Sequence, residues 1–295
     1  MFYLSLPPYL SNLIELYVDT RRKLKVEIDA VPYTLREKQP IDGYWSVSEV
    51  CAHLSLVQTS VSRILEKLIK KANKETLNLQ GTANWDTNLP SLPEKVSAPV
   101  KTFPEKEISF DTAWTELELI HANILHHIPE LAPFDLGKLT FFHLIFGELN
   151  IYQWLRFNVE HEERHTSQIR RIKNMFLIES FIAAYNVFDV DGMVSLLHDN
   201  IIFENYSNGE RNVFTEGIED FKKIAVQSVS LFKSRKQSIS DITFQGDTAE
   251  VTINFEGILA VDFSESLKAG ETLNLPGKSV YRFSEGKISY IADYS

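Results

Sequence analysis

The sequence predicts a two-part chain: an all-α, up-and-down four-helix bundle over residues 1–174, then an α+β cone with a curved antiparallel sheet over 175–295. Three observations carry that expectation. The first half has four apolar stripes at helical spacing and no confident strand. The second half turns, from residue 235 on, to alternating segments separated by turn residues. The charge balance shifts as well. Residues 1–174 hold 20 basic and 22 acidic side chains, whereas residues 175–295 hold 10 and 18.

Residues 11–30 read as the first helix, with Leu13, Leu16, Leu24 and Ile28 on one side. Two prolines and a glycine make 31–45 a loop. Ser46 then has Glu49 three residues on, the spacing of a capping box. Behind it Val47, Val50, Leu54, Val57, Val61, Ile64 and Leu68 step by three and four. Residues 73–109 carry four prolines and read as a long irregular connection, with Trp85 placed to cover a site or to anchor the loop. Asp111 is a candidate cap for a third helix bearing Leu117, Ile120, Ile124 and Ile128. Asn150, with Gln153 three on, caps a fourth that runs to about residue 174. Short helices follow at 176–187, 190–197 and 217–229, then strands at 235–245, 248–260, 272–284 and 287–294. FQGD at 244–247 and SEGK at 284–287 supply hairpin turns.

Composition excludes some functions. Hydrophobic residues make 44% of the 295 and charged residues 24%, as in a globular protein. A net charge of −10 gives no positive field for a phosphate backbone, so no nucleic-acid partner is expected. No apolar run approaches the ~20 residues that span a bilayer. Residues 1–20 have no basic stretch followed by an apolar core, and Cys51 is the single cysteine. A cytoplasmic, reducing location is therefore expected.

The fourth helix contains H-E-x-x-H, the pattern of zinc peptidases. Its inward stripe runs Ile151, Leu155, Asn158, His161/Glu162, His165, Ile169, Ile172. Polar side chains at three successive buried positions are costly unless something satisfies them. His161 and His165 are neighbours on one face at i and i+4. His53, on the edge of the second helix's stripe, meets them if those helices are adjacent. Three neutral imidazoles with an open position suit a divalent ion such as Zn²⁺ or Ni²⁺. The peptidase reading instead makes Glu162 a general base and looks downstream for a third ligand. Glu179 is available, but no sheet edge lies beside this helix to hold an extended substrate. His121 reads as a core histidine, Cys51 as a small buried residue, and His126 and His127 as side chains at a helix's negative pole.

GYWSVSEVCAHL at 43–54, taken with GELNIYQWLRFNVEHEERHTSQIRRI at 147–172, resembles the DinB-like (YfiT-like) four-helix bundles. Their marks are W-S-x-x-E-x-x-x-H-L on the second helix and H-x-x-x-H followed by Gln-Ile on the fourth. Here these fall on Trp45, Ser46, Glu49, His53 and Leu54, then on His161, His165, Gln168 and Ile169. The resemblance implies a metal held by His53, His161 and His165, with Gln168 orienting a ligand or a water. Family members include S-transferases that use low-molecular-weight thiols such as bacillithiol or mycothiol. It follows that H-E-x-x-H is incidental here.

FIAAYNVFDVDGMVSLLHDNIIFEN at 181–205, NGERNVFTEGIEDFKKI after it, and YRFSEGKISYIADY at 281–294 resemble the SnoaL-like branch of the nuclear-transport-factor-2-like superfamily. That resemblance implies an apolar pocket, with Tyr185, Phe203, Asn205, Phe221, Tyr281 and Asp293 as candidate lining. A carboxyl in such a pocket has a raised pKa and can exchange protons. At two residues from the chain end, a plain solvated carboxylate is the other reading of Asp293. His198 is given no role. Two functions stay open. One is a divalent-metal protein acting on a small molecule as a thiol-dependent S-transferase or a metal-assisted hydrolase. The other is a non-catalytic binding or stress-response protein with a structural metal and a ligand pocket. Both resemblances imply self-association, so a homodimer is expected.

Overall fold

The computed structural model describes residues 6–75, 87–89, 102–262 and 267–295; Trp85 and most of the long connection lie outside them. The chain divides into two compact units, Met1–Ile172 and Lys173–Ser295.

The first unit is a bundle of α1 (Pro8–Asp29), α2 (Val47–Glu75), α3 (Phe110–His127) and the first part of α4 (Ile151–Asn186). Pro8 opens α1, where a missing N–H costs nothing. The capping box of α2 forms as expected: Ser46 N–H donates to Glu49 Oε2 at 2.7 Å, and Glu49 N–H to Ser46 Oγ at 3.1 Å. At α4 the same reciprocal pair joins Asn150 and Gln153, both bonds 2.9 Å. The cap of α3 is Ser109, not Asp111. Ser109 is extended (φ −67°, ψ 146°), and its Oγ accepts from Thr112 N–H. Asp111 instead lies inside the first turn, where its carboxylate accepts from Tyr33 Oη. Leu10, Leu13 and Tyr17 of α1, Val61, Leu65 and Leu68 of α2, Ile124 of α3 and Leu155 of α4 share one core.

Two expectations for this region change. A small antiparallel hairpin, β1 (Thr140–His143) and β2 (Gly147–Asn150), precedes α4. Four residues per strand are too few to show a period, and Gly147 (φ 74°) makes the turn. Trp154 Nε1–H donates to Phe141 O at 3.0 Å and ties the hairpin down. The helices expected at 151–174 and 176–187 are one continuous helix of 36 residues, α4. No glycine or proline interrupts residues 151–186, so nothing ends the helix between them. The division between the units falls inside it.

The second unit adds α5 (Val190–Ser195), β3 (Leu197–Ser207), β4 (Glu210–Glu216), α6 (Ile218–Val229), β5 (Phe232–Gln245), β6 (Thr248–Leu259), β7 (Thr272–Ser284) and β8 (Lys287–Tyr294). The six strands form one sheet in the order β4-β3-β8-β7-β6-β5. It is the expected curved, mostly antiparallel sheet, with β3 and β8 running parallel. Register shifts at Asn205/Tyr206, Ile239/Asp241 and Arg282/Phe283 add the local twist that curves a sheet. The hairpin β3–β4 was absent from the expected strands. Its turn, Asn208–Gly209, has both residues at positive φ (53° and 82°), as a two-residue hairpin requires. Inside the curve, Phe181 of α4, Phe221 of α6, Phe203 of β3 and Tyr281 of β7 pack ring against ring, with centroids 5.6–6.4 Å apart.

Candidate metal centre

Two turns past its capping box, α2 presents His53; α4 presents His161 and His165 one turn apart. The three rings converge. His161 Nε2 lies 3.3 Å from His53 Nε2 and 3.2 Å from His165 Nε2, and one ligand atom from each ring falls within 4.8 Å of the others. The opposite ring nitrogens are held. His53 Nδ1 is 2.7 Å from Thr102 O, and His165 Nδ1 is 2.7 Å from Gln168 Oε1. A carbonyl oxygen only accepts, so each Nδ1 carries the proton and each Nε2 presents a lone pair.

Electrostatics keep the rings neutral. Burial lowers the His53 pKa, against a smaller upward pull from the Thr102 carbonyl. Burial, with His53 beside it, pushes His165 down to about 3, although Gln168 opposes. His161 is held well below the usual range by burial, then by His165 and His53. Neutral imidazole is the metal-binding form.

These residues fit a divalent ion. Tetrahedral coordination at about 2.0–2.1 Å per nitrogen sets ligands about 3.3–3.4 Å apart, close to the two spacings from His161. Without a cation, a single His161 Nε2 proton would have to serve two facing lone pairs, and His161 Nδ1 is buried with no hydrogen-bond partner among the described residues.

Aromatic rings wall the triad. Trp45 lies 5.0 Å from the His53 ring and nearly parallel to His165, with Phe103 edge-on to it at 5.9 Å. Phe157 lies 5.6 Å from His161, and His143 lies 4.8 Å from Phe157. Trp45 belongs to the sequence motif; Phe103, Phe157 and His143 had no signal that sequence reading could use.

The Glu of H-E-x-x-H is engaged elsewhere. Glu162 is 3% exposed. Arg21 grips it bidentately, Nε to Oε1 and Nη2 to Oε2, both at 2.9 Å, and Gln58 Nε2–H donates to Oε2. Arg21 Nη1 reaches Glu118 and the Leu117 carbonyl of α3. One buried fork thus links all four helices, and Glu162 has no freedom to act as a base at the triad. Arg21 was not anticipated, since a lone arginine on a helix carries no sequence signal. His121 is buried 5.8 Å from the Tyr17 ring, its pKa pushed down to about 4 mainly by burial, and it stands outside the triad. Burial raises the Cys51 thiol to about 12, which leaves it unreactive.

In the second unit, register places Phe203, Asn205, Tyr281 and Asp293 on one sheet face, while Tyr185 and Phe221 come from α4 and α6. Phe203 stands opposite Ile291, Asn205 opposite Asp293, Ser279 opposite Asp293 and Tyr281 opposite Ile291. Asp293 Oδ1 accepts from Ser279 Oγ, and burial raises its carboxyl to about 6 with that bond opposing. Asp293 acts electrostatically on both Tyr185 and Tyr281. Asn205 donates to Asn212 Oδ1 at 2.8 Å. Arg235, 4% exposed, lies 3.7 Å over the Tyr185 ring and donates to the Tyr185 carbonyl near the end of α4. Arg235 and Ser279 were not foreseen.

Residues 16–169, just over half of the chain, match the family model of the DinB superfamily. The chain belongs to the DinB superfamily. This superfamily is metal-binding, and the DinB bundle here carries a triad able to hold an ion. Residues 178–291 match the SnoaL-like domain. Among curated proteins, the chain is similar to the uncharacterized protein YuaE of Bacillus subtilis (strain 168), 29% identical over 138 residues, 46% of this chain and 82% of that one. Among solved structures it is similar to TsrD from Streptomyces laurentii (20% identity, 42% of this chain and 87% of that one, TM-score 0.35). A second is an M. tuberculosis LEH-like epoxide hydrolase (16% identity, 41% and 81%, TM-score 0.34).

Proposed function

We propose that this DinB-superfamily protein binds one divalent ion on His53, His161 and His165 and transfers a low-molecular-weight thiol to a small electrophilic molecule. The convergence of three ring nitrogens within 4.8 Å of one another, with His161 Nε2 at 3.3 and 3.2 Å from the other two, carries the reading. An ion held by neutral imidazoles supplies Lewis acidity that favours a deprotonated thiol or water near neutral pH. The chain's own groups do the rest. Thr102 O and Gln168 Oε1 fix two ring tautomers, and Trp45 and Phe157 pack against the rings, with Phe103 edge-on to Trp45.

Thiol transfer is preferred to hydrolysis on one observation. Among the described residues no carboxylate joins the triad, and Glu162 is held by Arg21 and Gln58. Hydrolysis by a metal site commonly leans on such a base; a thiol, far more acidic than water, does without one. The SnoaL-like unit supplies a small-molecule pocket lined by Tyr185, Phe203, Asn205, Phe221 and Tyr281, in which Asp293 titrates near 6 and can exchange a proton.

Elemental analysis of untagged protein tests the first claim. One divalent ion per chain is expected, and its loss in His161→Ala/His165→Ala. Metal-free protein, or metal retained by that variant, ends the proposal. Consumption of free thiol in the presence of an electrophile, lost with the metal, tests the second. A metal-loaded protein that consumes none, yet loses thermal stability on chelation, points to the structural role instead.

A further inference from the structure

The distal half of α2 and strand β1 enclose a groove of about 720 Å³ in the first unit. Arg63, Lys67, Lys70, Lys71 and Lys74 line it, with Glu66 as the one acidic neighbour. These cations recur at i, i+4, i+7, i+8 and i+11, so they occupy one helix face and span about 16 Å of its axis. Lys67 Nζ lies 4.8 Å over the Phe141 ring, and none of the five is ion-paired among the described residues.

Some lysines elsewhere on the chain are ion-paired, while Lys38, Lys106, Lys233, Lys236 and Lys287 stand singly rather than along one face. Lys25 pairs with Asp29, Lys138 with Asp135, Lys222 with Asp191, Lys268 with Asp262 and Lys278 with Glu250. In a chain of net charge −10, five uncompensated cations on one groove are an uneven distribution. Basic residues near a helix C-terminus do complement its dipole, but that effect fades within the last turn and does not reach Arg63 or Lys67.

We infer that this groove binds a linear phosphate chain of three or more phosphoryl groups. Its volume is that of a small-molecule cleft, about 300–1,000 Å³. Lysine ammoniums act as point charges on flexible stems and accept phosphate without demanding a fixed fork. A nucleic-acid strand fits less well. Single modules that bind one cover about 600–1,000 Å² and stack bases on open aromatic faces. Here the one lining aromatic, Phe141, has Lys67 over its ring, and an acidic molecule repels a polymer running past the groove.

Titration calorimetry of tripolyphosphate into the full-length, metal-free protein at low ionic strength tests this; metal-free protein is used because the probe chelates divalent ions. Saturable one-to-one binding is expected, weakened at least tenfold in Lys67→Ala/Lys71→Ala/Lys74→Ala and unchanged in Lys222→Ala/Lys278→Ala. The substituted side chains are exposed, so folding is preserved; circular dichroism of each variant checks it. Absence of saturable binding overturns the inference, as does equal weakening in both variants. It is overturned equally if a short single-stranded oligonucleotide, or vesicles of anionic lipid, bind through these lysines while tripolyphosphate does not.

Discussion

Asp293 is the residue whose ionisation has the clearest thermodynamic consequence. Its carboxyl titrates near 6 in the folded chain against an ordinary 3.8. Between those values the folded chain holds a proton that the unfolded chain has released. Stability contributed by protonated Asp293 is present below about pH 4 and lost as pH rises through 6. Asp293→Asn should therefore stabilise the protein at pH 7.5, by up to about 3 kcal/mol, and give no gain below pH 4. Urea unfolding at the two pH values checks it; a gain that is equal at both contradicts the burial argument. At His165 the sign is reversed. Its folded pKa of about 3 lies below the ordinary 6.5, so the metal-free protein should lose stability as pH falls below 6.5 toward 3. Fluorescence-detected unfolding across that range reads this out. The triad itself was legible in the sequence, because i,i+4 spacing and an interrupted apolar stripe are local signals. Thr102, Phe103 and Arg21 were not. Their roles depend on which distant segments meet, and a single sequence does not encode that as a pattern.

Elements show the same division between local and distant information. Both capping boxes were readable because each needs only four residues. The cap of α3 was misplaced because Ser109 and Asp111 are both good cap residues, and only the backbone at Ser109 is extended. The β3–β4 hairpin carried a readable turn in Asn208–Gly209, but its strands mix half-buried and exposed positions without clean alternation. The Arg21–Glu162 fork between α1 and α4 yields a further expectation. Removing one partner strands a buried charge, so Glu162→Ala should destabilise by about 3–5 kcal/mol. Arg21→Met with Glu162→Leu should lose less than either single removal, a coupling that a double-mutant cycle in urea measures. Helix α4 offers a simpler test. Lys173→Pro should cost about 3 kcal/mol or more if residues 151–186 form one helix, and far less if a break lay near residue 175.

On the scale of the whole molecule, two cores formed by different rules share one chain. The bundle buries apolar stripes of period 3.6, whereas the sheet unit closes bulged strands over Phe181, Phe221 and Tyr281. No helix among the described residues is long and apolar enough to cross a membrane. The division of the chain within α4 bears on any attempt to study the halves separately. His165 stands only two turns before Ile172. A fragment ended there would place its ion-gripping stretch in the fraying tail of a severed rod, without its native continuation. Weak metal affinity in such a fragment would report the position of the scissors; extending it to Asn186 should recover the grip.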